Sequence, residues 1–509
     1  MDTDLSAPHL PARALLAFSV SILLLWSCTG SHDGDARDAG TARVAGDGAA
    51  LAIEHVTVLS MVAGSAPLPD ATVLIRDGRI VSVGPAREAD VPPEARRVDG
   101  TGKWLMPALT DMHVHVENDR MIRLLVGNPD LPDGTIDAAD LFTLYVAKGV
   151  LQIVNMSAMS ESLAQRDAVE AGSVLGPHVA LAAMVDGAPP IWPEGMTAVA
   201  ATPEDGRRVV RDTQAQGYDF VKVYAKLDLA TFTAILDEAR VRGIQVLGHI
   251  PRIEGAPTED FFQPGFAMVA HAEEFFFQSD DITEADIERF VAMAKASGTW
   301  LTSTLVLDQR ILEQTRDPGT LLEIPGLPYV HPAALPAWFE LNRYVGRNSP
   351  ERIAQLERLV AFNRKLVKAF ADAGIPVLPG TDSIIPGVVA GFALHEELEA
   401  MVEAGMTSEQ VLTAATRLSA EWLGVAGDRG TVEAGKRADL LLLDADPLAN
   451  VASTRAIAAV IAGKRYLPRA ELDAMLASLA ERYAAMPPVS PGPTADRSEI
   501  AGRSAACQH

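Results

Sequence analysis

Eight short apolar runs separated by helical patterns organise the middle of the chain, ending near His115, Asn155, Met184, Tyr224, His249, His271, Thr304 and Asp382. Strands that alternate with helices pair in parallel, and eight of them close into a (β/α)8 barrel. Apolar residues recur at helical spacing over Leu229 to Arg242 and Ile282 to Ser297, and Thr407-Ser408-Glu409-Gln410 carries an N-terminal capping pattern. The expected fold class is α/β, with a TIM barrel over residues 106–424.

The flanks read differently. From Leu51 to about Val98 the runs Ala71–Ile75 and Ile80–Val83 surround Asp77-Gly78, a hairpin turn between antiparallel strands. Similar β-prone pieces return at Gly430–Val432, Ala438–Leu443 and Val460–Lys464. Residues 51–105 and 425–466 are therefore expected to assemble one small β-sandwich from both ends of the barrel. Residues 467–509 read as an amphipathic helix from Pro468 to about Ala485 and then a disordered tail.

At the N-terminus, Leu15–Trp26 is an apolar run of 12 after Arg13, too short to span a bilayer but suited to a secretory signal over residues 1–28. Residues 29–50 are small, polar and Gly/Asp-rich, a disordered linker. Leu25-Trp26-Ser27-Cys28 resembles a bacterial lipobox, whose cysteine is lipidated; Trp26, Asp2 and Asp4 depart from that pattern. The expected location is outside the cytoplasm, periplasmic or membrane-anchored through Cys28, and both forms stay open.

Charge and cysteine usage narrow the chemistry. A net charge of −24 repels phosphate backbones, which sets nucleic-acid binding aside. The two cysteines, Cys28 and Cys507, allow neither a disulfide framework nor a cysteine zinc site. Any metal falls to histidine and carboxylate.

Those residues stand at strand ends. His113 and His115 are two apart, so on a strand both imidazoles share a face, a chelating pair. His249, His271 and Asp382 each close an apolar run, and the C-terminal mouth of a barrel collects strand ends. Taken singly, each could be a histidine bonded to backbone or an Asp capping a helix. Lys222 lies in the apolar run Phe220–Tyr224, where an ammonium with the ordinary pKa of about 10.4 would repel a metal. Its neutral amine could instead take up carbon dioxide and become an anionic carbamate, or the lysine could snorkel to solvent.

His113-x-His115, Lys222, His249, His271 and Asp382 in this order, with the split flanking domain, resemble the amidohydrolase superfamily of metal-dependent hydrolases. His395-Glu396-Glu397-Leu398, Ala404-Gly405-Met406-Thr407, Gly435-Lys436-Arg437-Ala438-Asp439-Leu440 and Asp446-Pro447-Leu448 are similar to that superfamily's ending. The likeness covers about residues 51 to 466. Gly217–Lys222 and Gly248-His249-Ile250-Pro251 resemble its prolidase and imidazolonepropionase-related branch, which has a carbamylated lysine.

That resemblance implies two divalent metal ions; His-rich ligation makes zinc the default, with manganese, cobalt and iron chemically open. His113, His115 and Asp382 would hold one, His249 and His271 the other, and carbamylated Lys222 would bridge. Ala270 stands where the family often has Glu, which opens the question of what supports His271. Two cations about 3.5 to 4 Å apart would share a water whose pKa falls from about 15.7 to near 7, yielding a metal-bound hydroxide as nucleophile. Asp382 would take its proton and pass it to the leaving nitrogen.

The expected activity is hydrolysis of a C-N bond, amide or peptide-like, with dipeptidase or prolidase action one form of it. Tyr224, Trp192 and Arg252 are candidates for contact with this small-molecule substrate, Arg252 through a carboxylate. A mononuclear deaminase or cyclic amide hydrolase (imidazolonepropionase-like) is the alternative. A noncatalytic surface binding protein is the second, against which stands the complete ligand set. Oligomeric state and substrate identity stay open.

Overall fold

The computed structural model describes residues 50–492 apart from Glu194, Asp280, Asp281 and Ile384. The signal segment, nearly all of the linker, Cys28, Cys507 and the tail beyond 492 lie outside the described residues.

The N-terminal flank contributes β1 (Leu51–Val58), β2 (Leu68–Arg76), β3 (Arg79–Pro85), β4 (Arg96–Asp99) and β5 (Trp104–Pro107). Barrel strands follow as β6 (Leu109–Val114), β7 (Val150–Asn155) and β8 (His178–Asp186), with the two-residue β9 (Ala198–Val199) beside β8. They continue as β10 (Phe220–Val223), β11 (Gln245–Gly248), β12 (Phe266–Val269), β13 (Trp300–Thr302) and β14 (Val377–Leu378). The C-terminal flank adds β15 (Asp439–Leu443), β16 (Ile457–Ala462) and β17 (Arg465–Pro468).

Eight parallel strands run β6-β7-β8-β10-β11-β12-β13-β14. A bridge from Val114 to Ser383 brings the ends together, helped by Met112 N–H donating to the Pro379 carbonyl at 2.9 Å and Asp382 N–H to that of His113 at 2.8 Å. Such close approach requires Gly380, since a Cβ there would lie 2.7 Å from His113 Cβ and 2.5 Å from Thr302 Cγ2. Barrel strands are buried on both faces and so read as continuous apolar runs.

The two flanks meet in one mixed sheet ordered β17-β16-β15-β5-β1-β2-β3, with β4 on β1. The hairpin expected at Asp77-Gly78 forms, both residues taking positive φ (53° and 77°). Not every pairing is antiparallel, because β4 and β5 return alongside β1 in parallel. β15 joins the flanks by pairing with β5, Leu441 opposite Met106. Its four leucines serve two cores: Leu440 and Leu442 face the interior of the flanking domain, while Leu441 and Leu443 face the barrel. The two-residue strand period explains that division.

Helices follow their sequence signals. One spans Leu229–Arg242, capped by Asp228 and closed by Gly243; another, Glu284–Ser297, begins with a Thr283/Asp286 capping box. After the helix Arg469–Ala485 the chain stays on the barrel, where Val489 packs against its core and Gly492 N–H donates to the Val126 carbonyl at 3.0 Å.

Candidate metal centre

Strand ends bring the chelating residues together at the C-terminal mouth. His113 sits on β6 and His115 one residue past its end; Lys222 lies on β10, His249 follows β11, His271 follows β12, and Asp382 lies four residues beyond β14. Gly248 (φ 140°) makes room for the β11 turn, since a Cβ there would lie 2.1 Å from the Val223 oxygen. Asp382 is held at φ 55°, a left-handed conformation that aspartate seldom adopts and that sites of function often impose.

Around Asp382 the geometry is tight. Its Oδ1 lies 3.2 Å from His113 Nε2 and 2.8 Å from His115 Nε2, yet it is buried out of line for a hydrogen bond to either. Three ligand atoms therefore face one point, with an oxygen lacking a hydrogen-bond partner, which fits a cation. The rings of His271 and His113 are 4.4 Å apart, and those of His249 and His271 5.1 Å.

Each histidine is oriented through its other nitrogen. His113 Nδ1–H donates to the Ala270 carbonyl at 3.2 Å and His249 Nδ1–H to Glu274 Oε1 at 2.7 Å, leaving both Nε2 lone pairs for the centre. His115 Nδ1 pairs with Ser157 Oγ at 2.7 Å and His271 Nδ1 with Thr304 Oγ1 at 3.1 Å. Thr304 thus supports His271, which the methyl group of Ala270 has no hydrogen-bonding atom to do.

Burial and charge set protonation. Burial, then the Lys222 charge, lowers His113 to about 3, and burial lowers His115 and His271, which favours the neutral imidazole that a cation would need. For Asp382, burial opposes ionisation, but His113 and His115 outweigh it and hold the carboxyl well below the usual carboxylate range. Lys222 is only 2% exposed, with Nζ 3.4 Å from His113 Nε2. A lysine facing this cluster of ligands from within the barrel does not snorkel to solvent.

Beside the centre is a cavity of about 150 Å³, lined by His115, Lys222, His249, His271 and Asp382 along with many apolar side chains. Two of the three expected substrate contacts line it: Tyr224, whose ring lies 4.1 Å from that of His249, and Trp192, whose Nε1–H donates to Tyr224 Oη at 2.9 Å. Arg252 is not brought to the cavity. Its guanidinium lies 3.7 Å from Glu274 and over the Phe277 ring, behind His249.

Sequence reasoning missed Glu273, Arg343 and Tyr344, which also line the cavity. Arg343 and Tyr344 come from the long β13–β14 connection, which carries no motif; Glu273, two residues past His271, was within reach of the strand-end argument. It also missed the work of Glu397. That buried carboxyl bonds Ser303 Oγ and accepts from Val306 N–H at 2.7 Å, capping the helix Leu305–Arg316 from a distant segment.

Residues 104–465 match the model of the amidohydrolase family. The chain belongs to that family. Within this amidohydrolase, local stretches are similar to an adenine deaminase from Rubrobacter xylanophilus, 29% identical over 106 residues, or 20% of this chain and 17% of that protein. An imidazolonepropionase from Idiomarina loihiensis is 39% identical over 66 residues, 13% of this chain and 16% of that protein. The match thus spans less than a fifth of either relative's length. The solved structure of a Xaa-Pro dipeptidase with methionine in its active site superimposes with a TM-score of 0.63 at 16% identity, covering 82% of this chain and 100% of that one.

Proposed function

We propose that the protein is a binuclear metal-dependent hydrolase that cleaves an amide or peptide-like C-N bond in a small molecule. The observation that carries this reading is the meeting of His113 and His115 at the buried Asp382 carboxylate, with Lys222 Nζ beside His113 and with His249 and His271 lining the same cavity. His113, His115 and Asp382 would hold one divalent cation, zinc by default, and His249 and His271 a second. Lys222 would bridge them as a carbamate, formed when its neutral amine adds to carbon dioxide and releases a proton. Bound there, divalent cations supply Lewis-acid polarisation of the scissile carbonyl and acidify a water.

This chain's residues do the rest. Asp382, held ionised, accepts the proton of the attacking water and delivers it to the departing nitrogen. The apolar cavity walls exclude bulk water and strengthen every charge interaction inside. The local likenesses to an imidazolonepropionase and an adenine deaminase, and the fold shared with a dipeptidase, all point to C-N bonds.

Metal content per chain, for protein purified with bicarbonate, tests the reading beside its Lys222→Ala variant. Near two metals falling sharply in the variant supports the bridge. One metal in both removes it and favours the mononuclear deaminase or cyclic amide hydrolase. That second reading has its own support, because only His113, His115 and Asp382 offer ligand atoms all within 4.8 Å of one another among the described residues.

Export is part of the same proposal, resting on Leu15–Trp26 and Cys28. Cys28→Ser should move the protein from the membrane fraction to a soluble one. A distribution unchanged and soluble would leave only the unlipidated exported form.

A further inference from the structure

The cavity beside the metal centre has two unlike kinds of lining. Towards β6 and β8 its wall is apolar: Met121 and Leu124 come from the helix Asp119–Val126, Met184 from β8, and Trp192 and Met196 from the loop after β8. Met121 and Met196 pack together with Met159, all three buried. Methionine is unbranched and polarizable, so such a wall adapts to apolar groups of differing shape. Two carboxylates line the cavity: Asp382 belongs to the centre, and Glu273 follows β12 and sits against Asp308. A free ammonium pressed into the methionine wall would lose water and find no partner.

Arg343, from the β13–β14 connection, adds the opposite chemistry. It is the one arginine among the cavity-lining residues, its guanidinium over the Tyr344 ring at 4.6 Å and bonded to Tyr344 Oη. Among the described residues no carboxylate pairs with it, although the chain has 67 acidic side chains against 43 basic ones. A half-buried guanidinium, steadied on one side and open to the cavity, suits a planar anion.

We infer that the cavity selects N-acyl amino acids, with the apolar acyl group against the methionine wall, the amide carbonyl at the centre and the carboxylate on Arg343. This rests on the hydrolase reading for its chemistry. Water adds across the amide, the C-N bond breaks, the acyl carbon keeps the oxygen as a carboxylic acid, and nitrogen takes the proton to free the amino acid. Arg343 is a specificity residue that binds the group leaving with nitrogen. The free-amine dipeptide is the poorer ligand.

The test uses the zinc-loaded full chain and its Arg343→Gln and Arg343→Lys variants. Substrates are N-acetyl-, N-butanoyl- and N-hexanoylglycine, the carboxamide N-hexanoylglycinamide, and the dipeptide Leu-Gly. Calorimetric binding to Asp382→Asn protein is measured alongside turnover. The expected result is kcat/KM rising roughly fourfold per methylene. The carboxamide should have a KM at least tenfold above that of the carboxylate. That gap should close in Arg343→Gln through KM with kcat little changed, and reopen partly in Arg343→Lys. Equal KM for carboxylate and carboxamide, or Leu-Gly outperforming N-hexanoylglycine, overturns the inference, as does the absence of both binding and turnover. Carboxylate-selective binding without turnover of any compound supports the ligand class and sinks the hydrolase reading instead.

Discussion

Glu274 secures His249 from two sides: Oε1 accepts from the imidazole Nδ1–H at 2.7 Å while Oε2 accepts from Ile250 N–H at 3.1 Å. The first bond presents the Nε2 lone pair to the centre, and the second pins the backbone of the turn that follows. Glu274 is fully buried, and although burial opposes its ionisation, His249 and Arg252 hold it as a carboxylate.

Glu274→Gln keeps the size but weakens the acceptor, and supports of this kind typically carry about 10- to 100-fold in metal affinity. Competition against a chelator should register that loss while the far-ultraviolet circular dichroism stays native. Unchanged affinity would show that His249 does not hold a metal or does not need Glu274 to do so.

Asp382→Asn retains shape and removes the proton acceptor. Turnover should fall by about 10² to 10⁴-fold with metal still bound, the range associated with a positioned acid-base group. Single-turnover kinetics with metal analysis on the same sample separate the two effects. Substantial activity in the variant would take Asp382 out of proton transfer.

Far from the mouth, His178 joins barrel and flanking domain. Its Nδ1 pairs with Glu170 at 2.5 Å and its Nε2 with Asp439 of β15 at 3.1 Å. Burial alone would lower its pKa, but these two bonds outweigh burial and raise it above 6.5. Glu170 is correspondingly lowered to about 2, chiefly by its bond to His178, and Asp439 is lowered despite its burial. A raised histidine stabilises fully below its unfolded pKa of about 6.5 and loses that contribution as pH rises through the folded value. The lowered carboxylates stabilise above about 4.5 and lose their share on further acidification. The share of stability that this cluster contributes to the denaturant midpoint should therefore be greatest between about pH 4.5 and 6.5 and decline on the alkaline side. His178→Gln should flatten that alkaline decline, and an identical decline in both proteins would clear His178 of any part in it.

Much of the barrel was legible because its signals are local. An apolar run of four to six residues has to be buried on both faces, and a His or Asp at its end falls at the mouth whatever surrounds it. That is why His113, His115, Lys222, His249, His271 and Asp382 could be read from their positions relative to such runs. The caps of Leu229–Arg242 and Glu284–Ser297 were equally local. Parallel pairing of β4 and β5 with β1 was not, since a short run of alternating residues carries no record of its neighbour's direction.

What the sequence by itself determined was which residues reach the mouth of the barrel, because strand periodicity and strand ends depend on neighbours one and two positions away. Only tertiary structure decided which partners aim them. Ser157 meets His115 across 42 positions, Thr304 meets His271 across 33, and the Ala270 carbonyl meets His113 across 157. It also turned Arg252 away from the cavity and brought Arg343 into it. Loop side chains are placed by packing against distant segments, and no local pattern encodes that geometry.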